Sequence, residues 1–296
     1  MRLHGVKLQP NVTTMKALAA FACACALALA TGCKDQAKES AKLAVGNVDM
    51  LSDLVDKDVG EIERGLPVGA KRLEALYDSG ADPKQDLPSV RQALLRAQRE
   101  VPDLNVAKST FFALTDDKGV GIRNNLEQDA MAGQDLAKLF PGIGKALAGA
   151  YTETTGSFGG PPTPQGPDED WLAAMPVKSD GKVVGLFVTG WSYRRFASHL
   201  QQVLKEQFQS DLRKSGDTGK MPVFYVAVFD ASGVYSERTT PKVDEQALAD
   251  AKLVDKTRNG TYQGTVTITD RAFGYAAKRT PKLAPEAGVV VLRSEL

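Results

Sequence analysis

Apolar residues along this chain change period once, near Leu104. Ahead of that point Ala44, Val48, Leu51, Val55, Val59 and Ile62 recur at spacings of three and four, one stripe of a helix that Gly65 is expected to stop. The period continues over Val68 to Tyr77 and over Val90 to Val101, the latter opened by Asp86-Leu87-Pro88. Residues 43–104 therefore read as a helical stalk of two or three helices, with a turn from Ser79 to Pro83.

Beyond Leu104 the apolar runs are short, rich in β-formers and separated by turn residues. Ser109 to Leu114, Asp116-Asp117-Lys118-Gly119 and Val120 to Arg123 read as a hairpin. A stronger one follows, because Asp180-Gly181 stands between Leu172 to Val177 and Val183 to Trp191. Gln134 to Ala150 reads as helix with a break at Pro141-Gly142, and GSFGGPPTPQGP, residues 156–167, as an exposed loop. A helix from Tyr193 to Lys214 carries Phe196, Leu200, Val203, Leu204 and Phe208 on one face. The plan then repeats in shorter form. Val223 to Phe229, Asp230-Ala231-Ser232-Gly233 and Val234 to Glu237 give a second hairpin, with FFALTDDKGVGIR echoed by VAVFDASGVYSER. Asp244 to Arg258 is a helix candidate, and Thr261 to Thr269, Phe273 to Arg279 and Val289 to Ser294 are three more strands. The class is α+β, with one unit over 105–215 and a smaller one over 222–296.

One apolar run lies outside this scheme. Met15 to Cys33, MKALAAFACACALALATGC, has a lysine, an unbroken apolar stretch and small residues before a cysteine. That is the make-up of an export signal and is short for a spanning helix. It resembles the lipobox of bacterial lipoproteins, with Ala30, Thr31 and Gly32 ahead of the acceptor Cys33, although Leu29 stands four places before the cysteine instead of three. The resemblance implies a signal peptide over 1–32, with Met15 as an alternative start, and a lipidated tether over 33–42 held to the membrane through Cys33. Lys34 in place of aspartate implies sorting to the outer membrane, on its periplasmic side. An ordinary cleaved signal is the alternative.

Composition narrows the chemistry. Loss of residues 1–32 removes Cys23 and Cys25 and leaves one cysteine, so no intrachain disulfide can form. It also removes three of 37 basic residues, leaving 34 against 36 acidic ones and a net charge of about −2, which argues against a nucleic-acid partner. His199 is then the single histidine. No His-Cys zinc set, H-E-x-x-H, P-loop or G-x-S-x-G spacing occurs, so no metal, cofactor or catalytic site is expected. A two-carboxylate hydrolase has only its carboxylate count behind it.

Two-stranded hairpin, helical crossover, three-stranded meander: with Asp116 to Gly119 in the first hairpin and Pro176-Val177-Lys178-Ser179-Asp180-Gly181-Lys182-Val183-Val184-Gly185 in the last, this order resembles a Cache sensor domain of PAS-like fold. Two units after one helical stretch are similar to a double Cache domain. The resemblance implies a ligand site between sheet and crossover, and the residues expected there are Arg123, Asn124, Tyr151, Trp171 and Trp191. Arginine can fork a carboxylate, and tryptophan can stack on a flat group or a cation. The Arg, Trp-Tyr and Tyr-x-Asp set of amino-acid-binding Cache domains does not align in full. Membrane-bound Cache sensors continue into a transmembrane helix and a signalling domain, whereas this chain stops at Leu296, so it is expected to bind, present or capture. The expected function is non-enzymatic small-molecule sensing or binding from the membrane. The alternative is a structural or envelope-assembly lipoprotein that binds a protein partner.

Overall fold

A computed structural model describes residues 12–78, 82–159, 166–216 and 220–295, with side chains from residue 35 onward. Residues 1–11 of the expected signal peptide and the side chains of residues 12–34, Cys33 among them, therefore lie outside the described residues, as do the core of the Ser79 to Pro83 turn and residues 160–165 of the Gly/Pro loop.

The stalk differs from its sequence reading in one respect. Helix α1 runs unbroken over Val12–Leu73, through both Gly65 and Pro67. Gly65 does not stop it, because its missing side chain is used for contact. A Cβ there would lie 2.7 Å from Leu104 Cδ2, and one at Gly69 would lie 2.5 Å from the Phe187 ring. The expected tether is also helical over residues 35–42, where Ala37, Ser40 and Ala41 are buried. Here helix backbone meets strand backbone: a Cβ at Gly274 would stand 2.1 Å from the Ala41 nitrogen. Small residues read as a loose linker are the ones that allow this approach.

After α1 come α2 (Ala75–Asp78), α3 (Leu87–Glu100) and α4 (Pro102–Val106). Asp86 caps α3 by accepting from the Ser89 amide at 3.1 Å. The first sheet comprises β1 (Phe111–Thr115), β2 (Gly121–Asn124), β3 (Thr152–Gly156), β4 (Asp170–Ser179) and β5 (Lys182–Ser192), with α5 (Leu136–Leu139), a 3₁₀ turn and α6 (Gly144–Leu147) in the crossover. Asp180 and Gly181 both take positive φ, 50° and 75°, as a two-residue hairpin turn between right-twisted strands needs. Strand β3, TETTG, has no apolar alternation and sits at the sheet edge, which is why the sequence pattern missed it. Helix α7 (Tyr193–Ser215) follows.

The second sheet holds β6 (Val223–Phe229) and β7 (Val234–Ser236), then α8 (Lys242–Asp250) and α9 (Leu253–Lys256), then β8 (Tyr262–Ile268), β9 (Arg271–Arg279) and β10 (Gly288–Ser294). The helix expected over 244–258 is split at Lys252, which takes φ +52°. Both sheets are antiparallel and share one strand order, β2-β1-β5-β4-β3 and β7-β6-β10-β9-β8. Helix α1 packs across one face of both sheets, and α7 joins them, so one apolar core runs beneath the pair. Each sheet has a smaller core on its other face, beneath α5 and α6 in the first and α8 and α9 in the second.

Candidate functional site

Register decides which side chains of the first sheet face its crossover. From the Asp180-Gly181 turn, β4 and β5 pair as Ser179 with Lys182 and Lys178 with Val183. A bulge then shifts the pairing, so that Val177 meets Gly185, Trp171 meets Trp191 and Asp170 meets Ser192. Alternation places the two tryptophans on the helix side and Asp170 and Ser192 on the crossover side.

On the crossover side lies a cavity of about 440 Å³. Phe111, Phe158, Met131 and Leu126 supply its apolar wall. Phe158 is held edge-on to Phe111 at 5.7 Å and to Phe140 at 4.8 Å. The polar end is built by Asp170, Ser192 and Arg195, and Asn124 and Gln134 also line the space. Asp170 is 9% exposed and accepts from the Phe158 amide at 3.0 Å. Burial pushes its carboxyl up to about 6, Asp168 adds to the rise, and Arg195 and the Phe158 amide oppose it. Its neighbour Glu169 is raised to about 7 by burial and then by Asp230. Ser192 caps α7 by accepting from the Arg195 amide at 3.3 Å, so the positive end of a 23-residue helix opens on the same space. Arg195 itself is exposed.

Of the five residues expected at the site, Asn124 lines this cavity. Arg123 stands beside it with its guanidinium engaged: it pairs with Asp129 at 3.1 Å and donates to the Leu126 carbonyl at 2.8 Å. Asp129 in turn accepts from the Met131 and Ala132 amides at 3.1 and 3.2 Å. Arg123 thus braces the loop that forms the cavity wall, and it does not line the cavity itself. Tyr151 packs on the helix-side core and donates to Glu153 at 2.7 Å. Trp171 and Trp191 are buried at 0% and 2% exposure and stack at 4.3 Å, with Phe196 continuing the stack at 4.4 Å. They are core on the face opposite the cavity. His199 is half-buried beside Phe196, and burial together with Lys108 lowers it to about 4, so it is neutral at pH 7.

Sequence reasoning missed Phe111, Met131, Phe158, Asp170, Ser192 and Arg195. The signal was the polar residue next to each tryptophan, Asp170 and Ser192, and it needed only the opposite choice of face. Among the described residues no group of three or more His, Cys, Asp or Glu is placed to hold a metal ion, and no helix is long and apolar enough to cross a membrane.

No protein-family model and no curated protein matches the chain. Solved structures do. The ligand-binding domain of the Campylobacter jejuni chemoreceptor Tlp3, in complex with 4-methylisoleucine, is 11% identical over 88% of this chain and 92% of that one, with a TM-score of 0.50. A domain of a Vibrio parahaemolyticus protein assigned to the sensory box/GGDEF family is 9% identical over 88% and 97%, with a TM-score of 0.51. The extracellular domain of vpHK1S-Z8, named as a histidine kinase, is 10% identical over 88% and 93%, with a TM-score of 0.52. The fold is that of Cache/PAS-like sensor domains.

Proposed function

We propose that this protein is a lipid-anchored, non-enzymatic binding module of the bacterial outer membrane, which captures a small molecule bearing an amino-acid head group. The observation that carries this reading is a carboxylate and a guanidinium, Asp170 and Arg195, lining a cavity whose apolar wall is Phe111, Phe158, Met131 and Leu126. An α-amino acid carries its ammonium and carboxylate on one carbon, so neighbouring opposite charges suit it. The ammonium would sit on Asp170 and the carboxylate on Arg195 and the start of α7, leaving an apolar side chain to Phe111, Phe158 and Met131. The Tlp3 domain of like fold holds a branched apolar amino acid, 4-methylisoleucine. In this reading residues 43–104 are the stalk, 105–215 the ligand-binding unit and 222–296 a second unit.

A thermal-shift screen of free L-amino acids against the protein tests the site, because binding to the native state raises Tm in proportion to ln(1 + [L]/Kd). L-isoleucine is expected to raise Tm, and Asp170→Asn and Arg195→Ala are each expected to abolish the rise. An unmoved Tm across the set would favour the envelope-assembly reading.

The anchor rests on the leader and on Cys33. Cys33→Ser is expected to move the protein from the membrane fraction to the soluble periplasm, or to block its processing, since buried acyl chains supply about 0.8 kcal/mol per CH₂. Unchanged fractionation and unchanged mass would contradict lipidation.

A further inference from the structure

The first turn of α7 faces two ways. Ser192 and Arg195 line the cavity, whereas Tyr193 and Arg194, between them in sequence, reach into the second sheet. Tyr193 stands edge-on to Tyr235 of β7 at 5.4 Å. Arg194, with its side chain 3% exposed, forks Glu245 of α8 at 2.6 and 3.1 Å and donates to the Ser236 carbonyl at 3.1 Å. Glu245 also accepts from the Ser236 amide at 2.9 Å. One turn and two turns further along, Ser198 donates to Glu237 at 3.1 Å, and Gln201 joins Glu237 to the Val226 amide.

The segment leading into β4 is hydrogen-bonded to this turn. Asp170 lines the cavity, the Asp168 carboxylate accepts from the Arg194 amide at 3.2 Å, and the Pro167 carbonyl accepts from the Arg194 guanidinium at 3.4 Å. The Tyr193 amide donates to the Glu169 carbonyl at 2.8 Å. Two adjacent backbone segments, 167–170 and 192–195, thus carry cavity residues and are hydrogen-bonded to each other at Tyr193 and Arg194, the two residues that reach the second sheet. Arg195 is the next residue after Arg194, and Asp170 lies two residues from Asp168, so both cavity charges stand close in the chain to the buried two-point Arg194–Glu245 pair.

We propose that this junction couples the cavity to the second sheet, so that a change of charge or occupancy at Asp170 and Arg195 alters the opening of the β7–α8 contact at Ser236 and Glu245. Coupling of this kind is carried by contiguous packed and hydrogen-bonded groups and is reciprocal. The ligand reading enters only one arm of the test.

Amide hydrogen exchange on the full chain provides that test, with Ser236 as reporter and Val290 in the middle of β10 as reference. Three states are compared: wild type, Asp170→Asn, and wild type with 10 mM L-isoleucine as probe. The coupling predicts that Asp170→Asn changes protection at Ser236 by about threefold or more, beyond any change at Val290. Should isoleucine bind by calorimetry, it must move Ser236 as well. If Asp170→Asn moves Ser236 and isoleucine neither binds nor moves it, the junction stands and the ligand assignment fails. If Ser236 follows Val290 in Asp170→Asn, or is silent while isoleucine binds, the coupling is overturned.

Discussion

Glu245→Ala is expected to cost the fold about 3–5 kcal/mol, because it removes one partner of a buried ion pair and strands the other. Arg194 is nearly inaccessible, and its guanidinium meets both oxygens of the Glu245 carboxylate. The same carboxylate holds the amide and hydroxyl of Ser236. Truncation therefore leaves a desolvated cation without its carboxylate and a serine without its acceptor. Replacing both members, as in Arg194→Met with Glu245→Leu, is expected to recover the part of the loss due to the stranded guanidinium, while Ser236 still lacks its acceptor. Urea unfolding of the two single variants and the double variant measures this. A loss below about 1 kcal/mol in both single variants would place the pair among surface contacts of little weight.

Trp171→Ala is expected to cost a comparable amount, about 3–5 kcal/mol, through lost packing and the cavity left behind. Trp171 lies fully buried at the strand end of a stack that continues through Trp191 to Phe196. Its indole N–H finds no partner among the described residues, so Trp171→Phe keeps an aromatic ring in the stack and removes an unpaired donor. That variant should lose far less. Because Trp171 faces away from Asp170, ligand affinity of the folded Trp171→Phe protein should match wild type. A variant that stays stable and loses binding would return Trp171 to the site.

The outline of the fold was legible because it is written in periods. The α1 stripe, the Asp180-Gly181 hairpin, helix α7 and the shared plan of the two halves all follow from spacing and turn chemistry. Glycine was the ambiguous letter. Gly65 reads as a stop and serves as a contact against Leu104, and Gly274 admits the backbone of α1. The site was half legible. Spacing from the turn leaves the register of the two tryptophans open, and a one-residue bulge at Val177 and Lys178 sets it; bulges leave little trace in hydrophobic pattern. Arg123 carried the right chemistry for a carboxylate and spends it on Asp129, a partner six residues along that only the folded loop brings back.

Titrating L-isoleucine into the protein by calorimetry at pH 7.5 and again at pH 5 tests the central claim directly. In the free protein burial holds the Asp170 carboxyl at about 6, so it is ionised at the higher pH and mostly protonated at the lower. An ammonium group binds the ionised form, and at pH 5 binding must first expel a proton. Affinity is therefore expected to fall about tenfold from pH 7.5 to pH 5, with proton release at the lower pH and no measurable binding to Asp170→Asn at either. Binding that is equally tight at both pH values, or that persists undiminished in Asp170→Asn, would contradict the assignment of this cavity as an amino-acid site.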